Sequence, residues 1–180
     1  MKTPERTPTA ILGVDPWSVA TGWALVGGTP ERPNVLASGV IKTRAKRPFG
    51  ERLAMIQDRF VEILAEHHPL LAAVESPFHG VNARSALQLA HARGVILAEL
   101  SRAWVPTVEY SPAEIKKTVT GSGRATKEQV AYMVERLAGT KTSSHDLSDA
   151  VAVALCHQTH HRLACTISRR TDTIVKNTTG

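Results

Sequence analysis

The chain is poor in the residues that mark several protein classes. Of its 180 residues only two are cysteine. Cys156 and Cys165 have neither metal-type spacing nor a disulfide framework, which fits a reducing compartment and points to the cytoplasm. Aromatic residues make up 4% against an ordinary 42% of hydrophobic ones, a composition that suggests neither disorder nor collagen. No apolar run approaches the roughly 20 residues needed to cross a bilayer. The opening MKTPERTPTA carries charge with no apolar stretch, so it does not read as a secretory signal. No internal repeat is visible. A chain of this length forms one domain with a sizeable core and is too short for two ordinary domains.

Charge is present in excess of one sign. The net charge of +6 and a pI near 9.7 permit a nucleic-acid partner without establishing one. Half of that excess sits at the end, where Arg162, Arg169, Arg170 and Lys176 face only Asp172. The expected organisation is a flexible lead-in over residues 1–10, a globular domain over 11–160 and a weakly ordered basic tail over 161–180. Any nucleic-acid site on the globular part is then a local patch.

The stretch ILGVDPWSVATGWALV, residues 11–26, anchors the reading. ILGV is a short apolar run that suits a strand buried on both faces, Asp15 closes it, and Pro16 breaks the ladder. TGWALV resumes as a second strand, Gly27-Gly28-Thr29-Pro30 reads as a turn cluster, and residues 35–43 read as a third strand, so the sheet opens as an antiparallel meander. Residues 50–67 follow a helical period with Leu53, Ile56, Phe60, Ile63 and Leu64 on one face. LLAAVE, residues 70–75, is another buried-strand run that ends in a carboxylate, Glu75. A long helix is expected over 82–103 and a fifth strand over 105–110. Ser111-Pro112 starts a helix that Gly121-Ser122-Gly123 breaks. Thr126 and Gln129 form a capping-box pattern for the next helix, and Ser143 or Ser144 caps the last. The order predicts an α/β fold with a mixed five-stranded sheet flanked by helices.

Four carboxylates stand out by position. Asp15 and Glu75 each end a buried strand, and in open α/β sheets chemistry gathers at such strand ends. Asp146 and Asp149 lie three apart near a helix start and so share a face. Each has a plainer reading: a turn aspartate capping amides, or acids that suit a helix N-terminus. Gathered together they would repel one another strongly and need cations. Oxygen-only ligands favour Mg²⁺ or Mn²⁺, and two such ions are standard equipment for in-line displacement at a phosphodiester.

At this point the sequence resembles the RuvC family of Holliday-junction resolvases, within the ribonuclease H-like fold. The resemblance rests on LGVDPWSVATGWALV, AAVESPF, NARSALQLAHARGVILAEL, EIKKTVTGSGRATKEQVAYMV and HDLSDAVAVALCH, in that order. It implies a structure-specific DNA endonuclease, a hydrolase that resolves four-way junctions by paired symmetric nicks in recombination and repair. It implies that Asp15, Glu75, Asp146 and Asp149 are the metal-binding catalytic acids, with two Mg²⁺ or Mn²⁺ ions per site. It also implies branched DNA as substrate, a homodimer, and no membrane, and it leaves open a branch-migration helicase as a further partner.

The remaining chemistry-bearing residues surround those motifs. Lys116, Lys117, Arg124 and Lys127 gather at the Gly121-Ser122-Gly123 turn, which reads as a phosphate cradle supplying charge and backbone amides, against the plainer reading of a solvated helix surface. Lys116 and Lys127 match basic positions that contact DNA in the family. Phe78, in SPFHGVN, reads as a base wedge or as a loop anchor on the core. His145 is an accessory ligand or base, or a solvated helix-start side chain. His157 reads as structural, and His160 and His161 as surface residues. Where the family has glycine after Asp-Pro, this chain has Trp17, which stacks on DNA or covers the core beside Trp23. Ala83, Ala86, Leu87, Ala90, Gly94, Leu97 and Ala98 share a helix face that suits close helix packing, in the core or across a dimer axis. Two readings compete with a strict resolvase: a phage-type branched-DNA nuclease of looser specificity, and a module that binds junctions without cutting. Actin-like and sugar-kinase ATPases also begin with Gly-x-Asp, but they need a second domain and a glycine where Trp17 stands.

Overall fold

A computed structural model of the chain describes residues 10–76, 83–139 and 144–178, with side chains described as far as His161. The elements run β1 (Ile11–Asp15), β2 (Ala20–Thr29), β3 (Arg32–Lys42), α1 (Phe49–His67), β4 (Leu71–Glu75), α2 (Ala83–Arg102), β5 (Thr107–Tyr110), α3 (Pro112–Thr120), α4 (Lys127–Ala138) and α5 (His145–Thr178). The sheet has strand order β3-β2-β1-β4-β5. β1 pairs antiparallel with β2, and β2 with β3, while β4 runs parallel to both β1 and β5. This is the mixed five-stranded sheet with an antiparallel start that the sequence predicts.

One expectation is corrected. Gly27, Gly28 and Thr29 are not a turn: β2 continues to Thr29, pairing Gly28 with Pro33 and Thr29 with Arg32, so the chain reverses at Pro30 and Glu31. A register shift between Leu25 and Val26 and a left-handed Gly28 (φ 80°) bend the hairpin without ending it. Glycine supplies that conformation at no steric cost.

Period-2 alternation sorts the strand residues onto two cores. Leu12, Val14, Ala72 and Val74 face α1 and α2, joining Ile56, Phe60, Ile96 and Leu100. Ile11, Ala24, Ala73 and Tyr110 face α3, α4 and α5, joining Ile115, Val130, Val134 and Val151. By the same alternation Asp15 and Glu75, next after Val14 and Val74, turn to the α5 face.

α5 lies on the sheet at backbone contact. A Cβ on Gly13 would stand 2.1 Å from the Ala150 carbonyl oxygen, and one on Gly22 would stand 2.1 Å from that of Asp146. Glycine at these two strand positions therefore sets how closely α5 approaches. The short helices start as read, with capping boxes at Ser111/Glu114 and Thr126/Gln129. For α5 the cap is Ser144, whose Oγ accepts from the Leu147 amide at 3.3 Å. α5 extends through the tail in which the sequence pattern fades.

Candidate active site

The carboxyl ends of β1 and β4 form the floor of the site. Val14 and Val74 are register partners, so Asp15 and Glu75 leave neighbouring parallel strands at the same level. The Ser76 amide donates to the Tyr110 carbonyl at 2.8 Å, tying the chain down one residue beyond Glu75. α5 crosses above and brings Asp149 to the same place. Asp15, Glu75 and Asp149 line a cleft of about 180 Å³. Pro112, Ile115 and Val130 give it apolar walls, and Lys116 and Lys127 supply its positive charge.

The electrostatics follow from that crowding. Burial raises the Asp15 carboxyl well above its ordinary range, and Glu75, Asp149 and Asp146 raise it further, against the pull of Lys127. Burial and then Asp149 push Glu75 up to about 7, opposed by Lys127 and Lys116. Lys127 is raised by Asp149 first, with Asp15 and Glu75 adding to the effect. Its Nζ lies 3.3 Å from Asp149 Oδ2. Two ammonium groups thus face three carboxylates, so the ionised acids leave a surplus of negative charge in a partly desolvated cleft.

That donor set fits hard divalent cations: all oxygen, negatively charged, and under-neutralised by the protein's own lysines. Among the described residues no three of histidine, cysteine, aspartate and glutamate are drawn together closely enough to hold a metal ion as they stand.

The family described as Crossover junction endodeoxyribonuclease RuvC matches residues 11–157. The chain belongs to the RuvC family. It is 45% identical to the crossover junction endodeoxyribonuclease RuvC of Halorhodospira halophila over 158 residues, covering 87% of this chain and 93% of that protein. It is 42% identical to the RuvC of Sphingopyxis alaskensis, covering 84% of this chain and 98% of that one. Among solved structures, Thermus thermophilus RuvC in complex with a Holliday junction substrate superposes with a TM-score of 0.81 at 31% identity, over 87% of this chain and 96% of that one. A yeast mitochondrial Holliday junction resolvase, 11% identical with a TM-score of 0.59, shares the fold. The architecture is ribonuclease H-like.

Within this RuvC fold the sequence-predicted residues separate. Asp15, Glu75, Asp149, Lys116 and Lys127 meet in the cleft. Asp146 acts on Asp15 from the rim without lining the cleft. His145 is exposed, and the charge it influences is Glu128. Lys117 and Arg124 are exposed on the α3–α4 hairpin, outside the cleft lining. Phe78 lies outside the described residues. His157 is buried, its Nδ1 2.8 Å from the Tyr110 hydroxyl, in keeping with a structural role.

In the turn between α3 and α4 the Gly121 amide donates to Lys117 O at 2.9 Å, Ser122 to Thr120 Oγ1 at 3.2 Å, Arg124 to Ser122 Oγ at 3.3 Å and Ala125 to Ser122 O at 3.2 Å. These four amides have partners within the hairpin, beside the exposed Lys117 and Arg124 side chains. Sequence reasoning also passed over Arg52. It falls four before Ile56 and eight before Phe60, on the apolar stripe of α1, and a charged residue on that stripe was the available signal.

Proposed function

We propose that this chain is a metal-dependent DNA endonuclease that resolves four-way junctions by paired nicks. The observation that carries the proposal is the single cleft in which Asp15, Glu75 and Asp149 meet Lys116 and Lys127, in a chain that is a RuvC family member over nearly its whole globular part. Asp15, Glu75 and Asp149, with Asp146 at the rim, would hold the cations, two Mg²⁺ or Mn²⁺ ions per site. When bound, these ions supply activation of water and stabilisation of the leaving oxygen. Burial raises the Asp15 carboxyl well above its ordinary range and pushes Glu75 up to about 7, so protons compete with cations for these carboxylates. Lys127 neutralises Asp149 and, with Lys116, faces the position a phosphate would take. Lys117 and Arg124 extend positive charge along the hairpin and engage the backbone of a DNA arm. Phe78 remains the proposed base wedge on sequence grounds.

Two nicks require two sites. On α2 the core takes Ala92, Ile96 and Leu100, while Leu87 is 60% exposed and Ala90, Gly94 and Ala98 are also open to solvent. Of the small-residue stripe, Leu97 packs against the core, while Leu87, Ala90, Gly94 and Ala98 are left outside it. Leu53, Ala90, His91, Gly94, Val95 and Ala98 line a shallow, mostly apolar depression there, and a second copy of the chain is the proposed occupant. The division into a lead-in over 1–10, a nuclease unit over 11–160 and a basic tail, action in the cytoplasm, and assistance from a branch-migration helicase belong to the same proposal.

The deciding experiment is cleavage of a four-way junction, a fork and a linear duplex with Mg²⁺. Symmetric nicks in the junction with little cutting of the other two support the proposal. Equal cutting of forks and junctions would instead establish a nuclease of looser taste, and tight binding without cutting would establish a junction-binding module.

A further inference from the structure

We infer that Arg52 is a positioning residue of the active site, acting through the loop that follows Asp15 rather than through its charge. Its effect on cleavage rests on the nuclease reading above, whereas its hold on the loop rests on geometry alone. Arg52 lies in the first turns of α1 and is 5% exposed. Its Nε and Nη2 donate to the Ser18 carbonyl at 3.1 and 3.0 Å, and Nη2 donates also to Ser18 Oγ. The same carbonyl accepts from Thr43 Oγ1 at 2.8 Å. The Thr43 amide donates to the Val19 carbonyl at 2.8 Å. Thr21 Oγ1 accepts from the Trp17 amide and donates to the Trp17 carbonyl. Residues 16–19 lie between β1 and β2, outside the ladder, and are held by side chains, chief among them one guanidinium that reaches across 34 positions of sequence.

Generic packing does not explain this arginine. Its partners among the described residues are neutral: Ser18, and the Phe49 ring 5.3 Å from the guanidinium carbon. A buried cation with no counter-charge among them is unfavourable, and near a helix N-terminus the dipole opposes it as well. An apolar residue would suit the stripe better, but it could not present a planar fork to a single carbonyl. Phe49 meets His91 of α2 edge-on, with centroids 5.6 Å apart, which closes the guanidinium in from the other side.

The loop so held begins one residue after Asp15, whose last ladder partner is Gly22. It sets where Asp15 leaves the sheet and how Trp17 is presented. The charges that act on the Asp15 carboxyl are Glu75, Asp149, Lys127 and Asp146, and Arg52 is not one of them. Loss of Arg52 should therefore act by misplacing the carboxylate.

The test compares wild type, Arg52→Lys, Arg52→Met and, as a core control on the same helix, Phe60→Leu. Two readouts are used: amide hydrogen exchange over residues 17–20, and single-turnover cleavage of a four-way junction. Arg52→Met is expected to raise exchange at least about tenfold and to slow cleavage on the order of 10²-fold. Arg52→Lys, which keeps the charge and fewer donors, should fall between. Phe60→Leu should lower the melting temperature yet leave loop exchange and cleavage within about threefold of wild type. Unchanged exchange in Arg52→Met overturns the inference. So does raised exchange with undiminished cleavage, or equal losses in the Phe60→Leu control. If Arg52→Met does not fold, Arg52→Lys against Phe60→Leu decides in the same way. If wild type does not cut, the proposed function falls, while exchange still decides whether Arg52 holds the loop.

Discussion

Burial and the proximity of Asp149 lift the Glu75 carboxyl to about 7, and Asp15 is lifted for the same reasons. A carboxyl whose folded value exceeds its unfolded one destabilises the fold as pH rises from the unfolded value through the folded one, here between about 4.5 and about 7 for Glu75. Without divalent cation, Glu75→Gln should therefore melt higher than wild type at pH 8, at roughly 2–4 °C per kcal/mol for a chain of this size. The advantage should vanish below pH 4.5, where both states carry the proton. Calorimetry in chelator at the two pH values measures it, and a pH-independent difference would contradict it. The same proton competes with metal, so at limiting Mg²⁺ the cation concentration needed for half-maximal cleavage should rise as pH drops through about 7. Asp15→Asn, Glu75→Gln and Asp149→Asn should each abolish cutting while junction binding persists, because phosphate contacts supply most of the affinity. Asp146→Asn, at the rim, should lose at least about tenfold, or about 1.4 kcal/mol of barrier. A rate within that margin for any of the four removes the residue from the metal set.

At the level of elements, the site depends on how closely α5 lies against β1 and β2. Gly13 and Gly22 permit that approach, and each has a backbone carbonyl of α5 where a methyl group would go. Gly13→Ala and Gly22→Ala should each destabilise by about 1–3 kcal/mol or more, because backbone rather than a flexible side chain has to move. Their effects on catalysis should differ. Gly22 meets Asp146, at the end of the helix that carries the acids, whereas Gly13 meets Ala150, one turn further on. Gly22→Ala should thus slow cleavage more than Gly13→Ala at matched stability. Urea midpoints together with cleavage rates test the ranking, and its reversal would mean that the approach at Gly22 does not place the acids.

For the whole molecule the question is pairing. The exposed stripe of Leu87, Ala90, Gly94 and Ala98 makes a second copy the natural cover for α2. Ala90→Arg should give a folded monomer that cuts junctions poorly, because the added guanidinium would be buried without a partner in the joint. Sedimentation of the variant and of wild type checks this, and a wild type that stays monomeric on a junction would end the paired-nick scheme.

Much of this was legible in the chain itself because it is decided within a few residues. The apolar runs ending in Asp15 and Glu75, the stop at Pro16, the Ser111 cap and the Thr126/Gln129 capping box are local patterns, and all reappear as read. The antiparallel meander and the mixed character of the sheet followed from the sequence of elements, whereas the strand order and the parallel pairs came from the structure. What the tertiary structure alone decided joins residues far apart in the chain. Lys127 reaches Asp149 across 22 positions, Tyr110 reaches His157 across 47, and Arg52 reaches Ser18 across 34. The hairpin amides look free in sequence and are bonded in the fold. Gly27 and Gly28 look like a turn and belong to a strand, because pairing with β3 outweighs a weak local preference. Periodicity tells which residues are buried, but only packing tells what each one is buried against.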